Sequence, residues 1–236
     1  TFGEAEYLTP LIRARAPALG TITTVERLAA SGTGVPFAHT ETEDTALLQY
    51  TSGSTGAPKG VLLSHANVLA NIRAIGEAIA VRPDDVVVSW LPLYHDMGLI
   101  GAWLGSLYFG VPVALMSPLA FLSRPSRWLW AIHAHHGTLS PAPNFAFDLS
   151  VRKIADDEIQ GLDLSGWRLA LNGSEVVSPE TIDRFTRRFA PYGFKPDAMC
   201  PVYGLAEASV GLTIAPPGRV PLVDRVEREA FGRARE

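Results

Sequence analysis

Short, uninterrupted apolar runs punctuate the chain from residue 45 onward. They cover residues 45–50, 86–91, 111–116, 138–140, 167–171 and 197–202. None alternates cleanly between apolar and polar positions, so each reads as a strand covered on both faces, as in a parallel sheet. Between the runs the period changes to that of a helix. Ser64 caps a stretch with Val68, Leu69, Ile72, Ile75 and Ile79 on one face. Ser123-Arg-Pro opens a helix that runs to His136 and stops at Gly137, and residues 144–154 are helical. Ser178-Pro-Glu starts another helix, with Ile182, Phe185 and Phe189 on its buried face. Strand and helix alternate without hairpin signals. This predicts a doubly wound α/β domain, a largely parallel sheet with helices on both faces, and ligands at the carboxyl ends of its strands.

The pattern also divides the chain. Residues 1–44 are weakly patterned and form an N-terminal segment, 45–214 form the α/β core, and 215–236 are a tail. Residues 97–123 carry no charge and are long enough to cross a bilayer. Gly98, Gly101, Gly105, Gly110, Pro112 and Pro118 break them up, so they read as a buried helix and then a buried strand, with no membrane span. The chain opens on Thr1 and reads as part of something longer.

Composition changes this picture little. With 236 residues, 47% hydrophobic and 19% charged, the chain is an ordinary globular sequence. Its 20 Lys and Arg are outnumbered by 24 Asp and Glu, without a basic block, so a nucleic-acid partner is not expected. The single cysteine, Cys200, permits no internal disulfide and fits a reducing cytoplasm; it is expected to pack in a strand.

The candidate chemistry centres on residues 50–60, YTSGSTGAPKG, directly behind the first apolar run. A loop rich in backbone N–H and hydroxyl donors, with three glycines and one lysine, has the makings of an anion cradle. It is not a Walker A loop, because Ala57 and Pro58 separate Gly56 from Lys59, and Gly60 follows. Nor is it a nucleophile elbow, because Ser52 stands where Gly is needed before Ser54.

Three more stretches follow strand ends. The first, WLPLYHDMG, sets His95 beside Asp96; neighbours in sequence rarely face each other, so a dyad is not expected there. The second is NGSEV from Asn172, and the third is VYGLAEAS from Val202, with Glu207 near a helix start. His133, His135 and His136 crowd one helix end without a partner cluster, so they suggest charge placement and not a metal.

The 50–60 loop closely resembles the phosphate-binding signature of the adenylate-forming superfamily. The strings SWLPLYHDMGLIG, LMSPLAFLSRPSRWLWAI, APNFAFDL and VYGLAEASVGL look most like fatty-acyl-AMP ligases and long-chain acyl-CoA synthetases, over roughly residues 45–214. The resemblance implies attack of a fatty carboxylate on the α-phosphate of ATP, giving an acyl adenylate and pyrophosphate. It implies that Thr51, Ser52, Gly53, Ser54, Thr55, Gly56 and the mobile cation Lys59 hold the phosphates. Thr55 and Glu207 would hold Mg²⁺. Asn172, Gly173, Ser174 and Glu175 would run along the adenine, with Tyr203 stacked on it beside Gly204.

Tyr94 and His95 would meet the acid's carboxylate, which makes Lys59, His95 and Glu207 the catalytic set. Asn144 and Phe145 would border an acyl tunnel, although Phe145 and Phe147 could equally pack in the core. The acceptor would be an acyl-carrier protein or CoA. The resemblance places a ribose-gripping aspartate, a hinge and a small C-terminal domain beyond Glu236. A fatty-acyl-CoA ligase shares every motif seen here, and a non-catalytic nucleotide- or acyl-binding module would keep the same pocket.

Overall fold

The structure, a computed structural model, describes residues 8–18, 22–30, 32, 39–51 and 59–227. The chain divides into two units, Thr1–Thr40 and Glu41–Glu236. The first holds α1 (Thr9–Arg15), with Pro10 in its opening turn, and α2 (Val25–Ala30). The Thr24 hydroxyl accepts the Arg27 N–H at 3.3 Å and steadies the start of α2.

The second unit opens with a correction. β1 (Thr45–Thr51) does not join a parallel sheet; it pairs antiparallel with β2 (Lys59–Ser64) in a sheet of its own. The reason lies in Val61, Leu62 and Leu63, a second apolar run directly ahead of the Ser64 cap. No short turn dipeptide marks the hairpin, because residues 52–58 separate the strands. Those residues, which include Ser52, Gly53, Ser54, Thr55 and Gly56, lie outside the described ones.

The main sheet runs β4-β3-β5-β6-β7-β8. Its members are β3 (Val87–Ser89), β4 (Val113–Leu115), β5 (Leu139–Pro143), β6 (Leu169–Gly173), β7 (Met199–Tyr203) and β8 (Thr213–Ile214). Pairing is parallel from β4 across to β7, as expected, and β8 adds a short antiparallel edge that the sequence did not announce. Adjacent strand residues divide between two apolar clusters. Val88, Ala170 and Met199 join one, while Val87, Leu169 and Cys200 join the other. Successive strand side chains leave opposite faces, so the sheet is buried on both sides.

Local chemistry sets the helices. Ser64 caps α3 (His65–Ala78) through a reciprocal pair with Asn67, and Ser178 caps α8 (Pro179–Phe189), with Pro179 in its first turn. The single helix expected from Ser123 to His136 is two, and it starts earlier. These are α5 (Pro118–Ser123) and α6 (Ser126–Ala134), which part at Arg124, where Pro125 holds the preceding residue extended.

The expected buried helix after residue 96 is a π-helix, Met97–Leu104, continued by α4 (Gly105–Phe109). Gly98 must be glycine: a Cβ there would stand 2.3 Å from the Pro92 carbonyl oxygen. On α7 (Asn144–Lys153), Phe147 is fully buried and packs edge-on against Trp128 and Phe185, which answers the core-or-tunnel question for that side chain. Cys200 is buried as expected, and burial pushes its thiol up to about 11.

At the amino ends of the strands, three elements are bolted together. Arg168, just before β6, meets Asp85 at 2.6 Å and donates to the Ile79 carbonyl at the end of α3. Thr138, just before β5, donates to the same Asp85 carboxylate at 2.7 Å.

Candidate adenylate-forming site

A cleft of about 1120 Å³ lies over the carboxyl ends of the strands and reaches down between the sheet, α3 and the π-helix. Its mouth is polar. The hairpin contributes Thr51 and Lys59, which face each other across β1 and β2 as its closing cross-strand pair. Behind β3 come Tyr94, His95 and Asp96, behind β6 Ser174, at the end of β7 Tyr203, and behind it Gly204 and Glu207. Tyr94 is 91% exposed and Tyr203 60%, so both rings are free for a ligand to cover. The interior is apolar, walled by Ile72 and Ile75 of α3, Ile79 just after it, Leu99 of the π-helix, and Val87 and Leu139 of the sheet. Gly101 lines the cleft too, and nothing lies within 4 Å of where its Cβ would be.

The loop carrying Glu207 is held from two sides. Asn71 on α3 donates to the Gly211 carbonyl at 2.7 Å and accepts the Gly211 N–H at 3.0 Å. Gln49 on β1 donates to the Ser209 carbonyl at 3.3 Å. The same α3 that walls the cleft therefore also sets the height of the Glu207 loop.

A family model described as AMP-binding enzyme matches residues 8–233. The chain belongs to the AMP-binding enzyme family. It is 45% identical over 191 residues to a long-chain-fatty-acid–AMP ligase of Mycobacterium marinum, covering 79% of this chain and 33% of that protein. It is 46% identical over 168 residues to a medium-chain-fatty-acid–[acyl-carrier-protein] ligase of Teredinibacter turnerae, covering 71% and 26%. Among solved structures it resembles a fatty acyl-adenylate ligase from Legionella pneumophila in complex with acyl adenylate and pyrophosphate. That match has 44% identity and a TM-score of 0.75, and covers 77% of this chain and 32% of that one. The chain thus spans about a quarter to a third of the length of these relatives.

Within this AMP-binding domain, not every residue singled out in the sequence comes to the cleft. Lys59, Thr51, Tyr94, His95, Ser174, Tyr203, Gly204 and Glu207 line it. Asn144, Phe145, Asn172, Gly173 and Glu175 stand beside it and tie β5–α7 to β6–α8. Asn172 is fully buried and donates to Asn144 Oδ1 at 3.4 Å, while that oxygen also accepts the Ser178 N–H. Glu175 accepts the Phe145 N–H at 2.5 Å, a carboxylate at the first turn of α7. Gly173 does allow a close backbone approach, but the partner is β7: a Cβ would meet the Val202 carbonyl oxygen at 2.7 Å. Phe145 leans its ring on Trp90, edge to face at 6.0 Å.

One expectation is overturned outright. His95 and Asp96 do face each other, with Nδ1 2.8 Å from Asp96 Oδ1. The chain turns through residues 92–95, with the His95 N–H donating to the Pro92 carbonyl, and Asp96 caps the π-helix by accepting the Met97 N–H. Both side chains therefore converge on one helix start. The hydrogen bond to Asp96 raises the His95 pKa above its ordinary 6.5, burial works against it, and the Asp96 charge adds to the rise.

Sequence reasoning missed Asn71 and Gln49. The available signal was a polar residue inside the apolar stripe of α3, since Asn71 falls between Val68 and Ile75. Among the described residues no group of three His, Cys, Asp or Glu stands ready for a metal. His133 instead accepts the Asp163 N–H at 3.1 Å.

Proposed function

We propose that the full-length protein activates a fatty acid by adenylation and passes the acyl group to an acyl-carrier protein. The observation that carries this reading is the division of one cleft into a polar mouth at the strand carboxyl ends and an apolar interior. A long acid can lie with its chain between α3 and the π-helix and its carboxylate among His95, Tyr94 and the hairpin. A carboxylate oxygen then bonds to the α-phosphorus of ATP. The bond from that phosphorus to the bridging oxygen breaks, and its electron pair leaves with pyrophosphate. No covalent bond to the protein forms, so the chain's work is positioning and charge stabilisation.

Lys59 supplies positive charge at the phosphates, opposite Thr51 on the neighbouring strand. Tyr203 offers an exposed ring to the adenine, and His95 meets the carboxylate. The donor set at Glu207 fits Mg²⁺, which binds through one or two carboxylates plus substrate phosphates and waters, and which would neutralise phosphate charge there. The likeness to the medium-chain-fatty-acid–[acyl-carrier-protein] ligase of Teredinibacter turnerae favours a carrier-protein acceptor. The lone, buried Cys200 accords with a cytoplasmic setting, and among the described residues no helix is long and apolar enough to cross a membrane.

The test is to incubate the full-length protein with ATP, Mg²⁺ and a fatty acid, alone, with CoA, or with a phosphopantetheinylated carrier protein. Acyl adenylate that accumulates despite CoA and is consumed by the carrier protein is the expected result. Acyl-CoA as product would replace the acceptor, and nucleotide binding without any acyl adenylate would replace the enzyme with a binding module.

A further inference from the structure

The His95–Asp96 pair carries a second assignment, which rests on the adenylation reading above. We propose that Asp96 is a positioning residue for His95, holding its Nδ1–H so that Nε2 is the nitrogen presented to the acyl carboxylate. Three observations support it. His95 Nδ1 lies 2.8 Å from Asp96 Oδ1, and the Met97 N–H donates to that same oxygen at 2.7 Å and only loosely, at 3.3 Å, towards Nδ1, so the carboxylate is the better partner for the N–H and Nδ1 is left to donate to it. The acceptor is therefore fixed by the backbone and cannot follow the ring. The Asp96 side chain is only 14% exposed while His95 is 51% exposed, so the anchor is sheltered and the ring it holds is accessible. The backbone beneath is fixed in turn, because Gly98 is wedged against the Pro92 carbonyl.

With Nδ1–H engaged, a neutral His95 keeps its lone pair on Nε2, and a protonated one donates from Nε2–H. The donor form is the useful one beside a carboxylate, and the Asp96 charge favours it. The other titratable groups around the cleft are Tyr50, Lys59, Tyr94, Tyr203 and Glu207, and residues 52–58 contain none. Asp96 is the charged group whose field reaches His95.

A plain helix cap would explain Asp96 without any of this, and the two roles separate experimentally. Asp96→Asn keeps an oxygen for the Met97 N–H and removes the charge; Asp96→Ser keeps a cap too short to reach the imidazole. Long-range ¹H–¹⁵N correlation on ¹⁵N-histidine-labelled 236-residue chain reads the His95 midpoint and tautomer directly. The expected result is a midpoint shifted to lower pH in both variants and loss of the pure Nδ1–H tautomer, with no change in the other histidines. In the full-length protein, kcat/KM for the fatty acid should fall about tenfold, the loss of one charge-assisted hydrogen bond, with KM for ATP held. The alkaline limb of its pH profile should move to lower pH. An unchanged His95 midpoint and tautomer would overturn the assignment, as would a moved midpoint with unchanged fatty-acid kcat/KM. If the wild-type full-length protein adenylates no fatty acid, the acyl reading falls, and the midpoint still decides whether Asp96 holds the ring.

Discussion

The two ends of the main sheet are built from the same short strands and behave as opposites. At the amino ends, Asp85, Thr138 and Arg168 close a sheltered network in which Asp85 accepts from Arg168, from the Thr138 hydroxyl and from the Arg82 N–H. At the carboxyl ends, Tyr94, Tyr203, Lys59 and Glu207 are exposed around a cleft, and the hydrogen bonds there serve the loops that carry them. Polar groups satisfied among themselves contribute to stability and offer a ligand nothing. Polar groups held in place but left accessible do the reverse.

Four changes would break or sharpen that contrast. The largest effect belongs to Glu207→Gln in the full-length protein, which should cut fatty-acid-dependent ATP–pyrophosphate exchange by about 100-fold or more while leaving the urea midpoint in place. Next, Asp85→Ala should lower the unfolding free energy by about 3–5 kcal/mol, since it strands the Arg168 charge in a sheltered site. The wild type should also carry an acid-side signature of this group. Burial alone would raise the Asp85 pKa, yet hydrogen bonds from Arg168, Thr138 and Arg82 together hold it below the ordinary 3.8. Its contribution is therefore complete above that ordinary value and is lost as pH falls through the depressed one. Urea titrations at a series of acidic pH values should show this loss in the wild type and not in Asp85→Asn.

A third change, Gly101→Leu, fills the open space beneath the π-helix. It should raise KM about tenfold for long-chain acids and spare short ones, as exchange kinetics across a chain-length series would show. The smallest effect is expected from Asn71→Ala, which removes both bonds to Gly211. It should cost about 1 kcal/mol by urea denaturation and raise KM for ATP, because the Glu207 loop loses its tie to α3.

The same contrast explains what could be read from residues alone. Parallel strands such as β5 and β6 announce themselves because both faces are buried, and Ser64 and Ser178 mark helix starts because a cap is a local device. The β1–β2 hairpin did not, because its signal depends on a short turn and residues 52–58 hide it. The split between α5 and α6 is legible in Pro125, whose restriction on Arg124 is a local rule. At the site, the rim residues were legible because they sit directly behind strands. Residues that position them were not: Asn71 meets Gly211 across 140 positions, and the His95–Asp96 contact depends on a turn that no residue spacing encodes. The resemblance put Asn144 and Phe145 at an acyl tunnel; here Glu175 accepts the Phe145 N–H and the Phe145 ring packs on Trp90.

In the proposed adenylation the acyl chain lies between α3 and the π-helix. Photolabelling the full-length protein with a diazirine-bearing fatty acid in the presence of ATP and Mg²⁺, followed by peptide mapping, tests it directly. The expected result is ATP-dependent label on Ile72, Ile75, Ile79 and Leu99, suppressed by excess unlabelled acid. Label confined to Phe145 and its neighbours on α7, with none on α3, would contradict it.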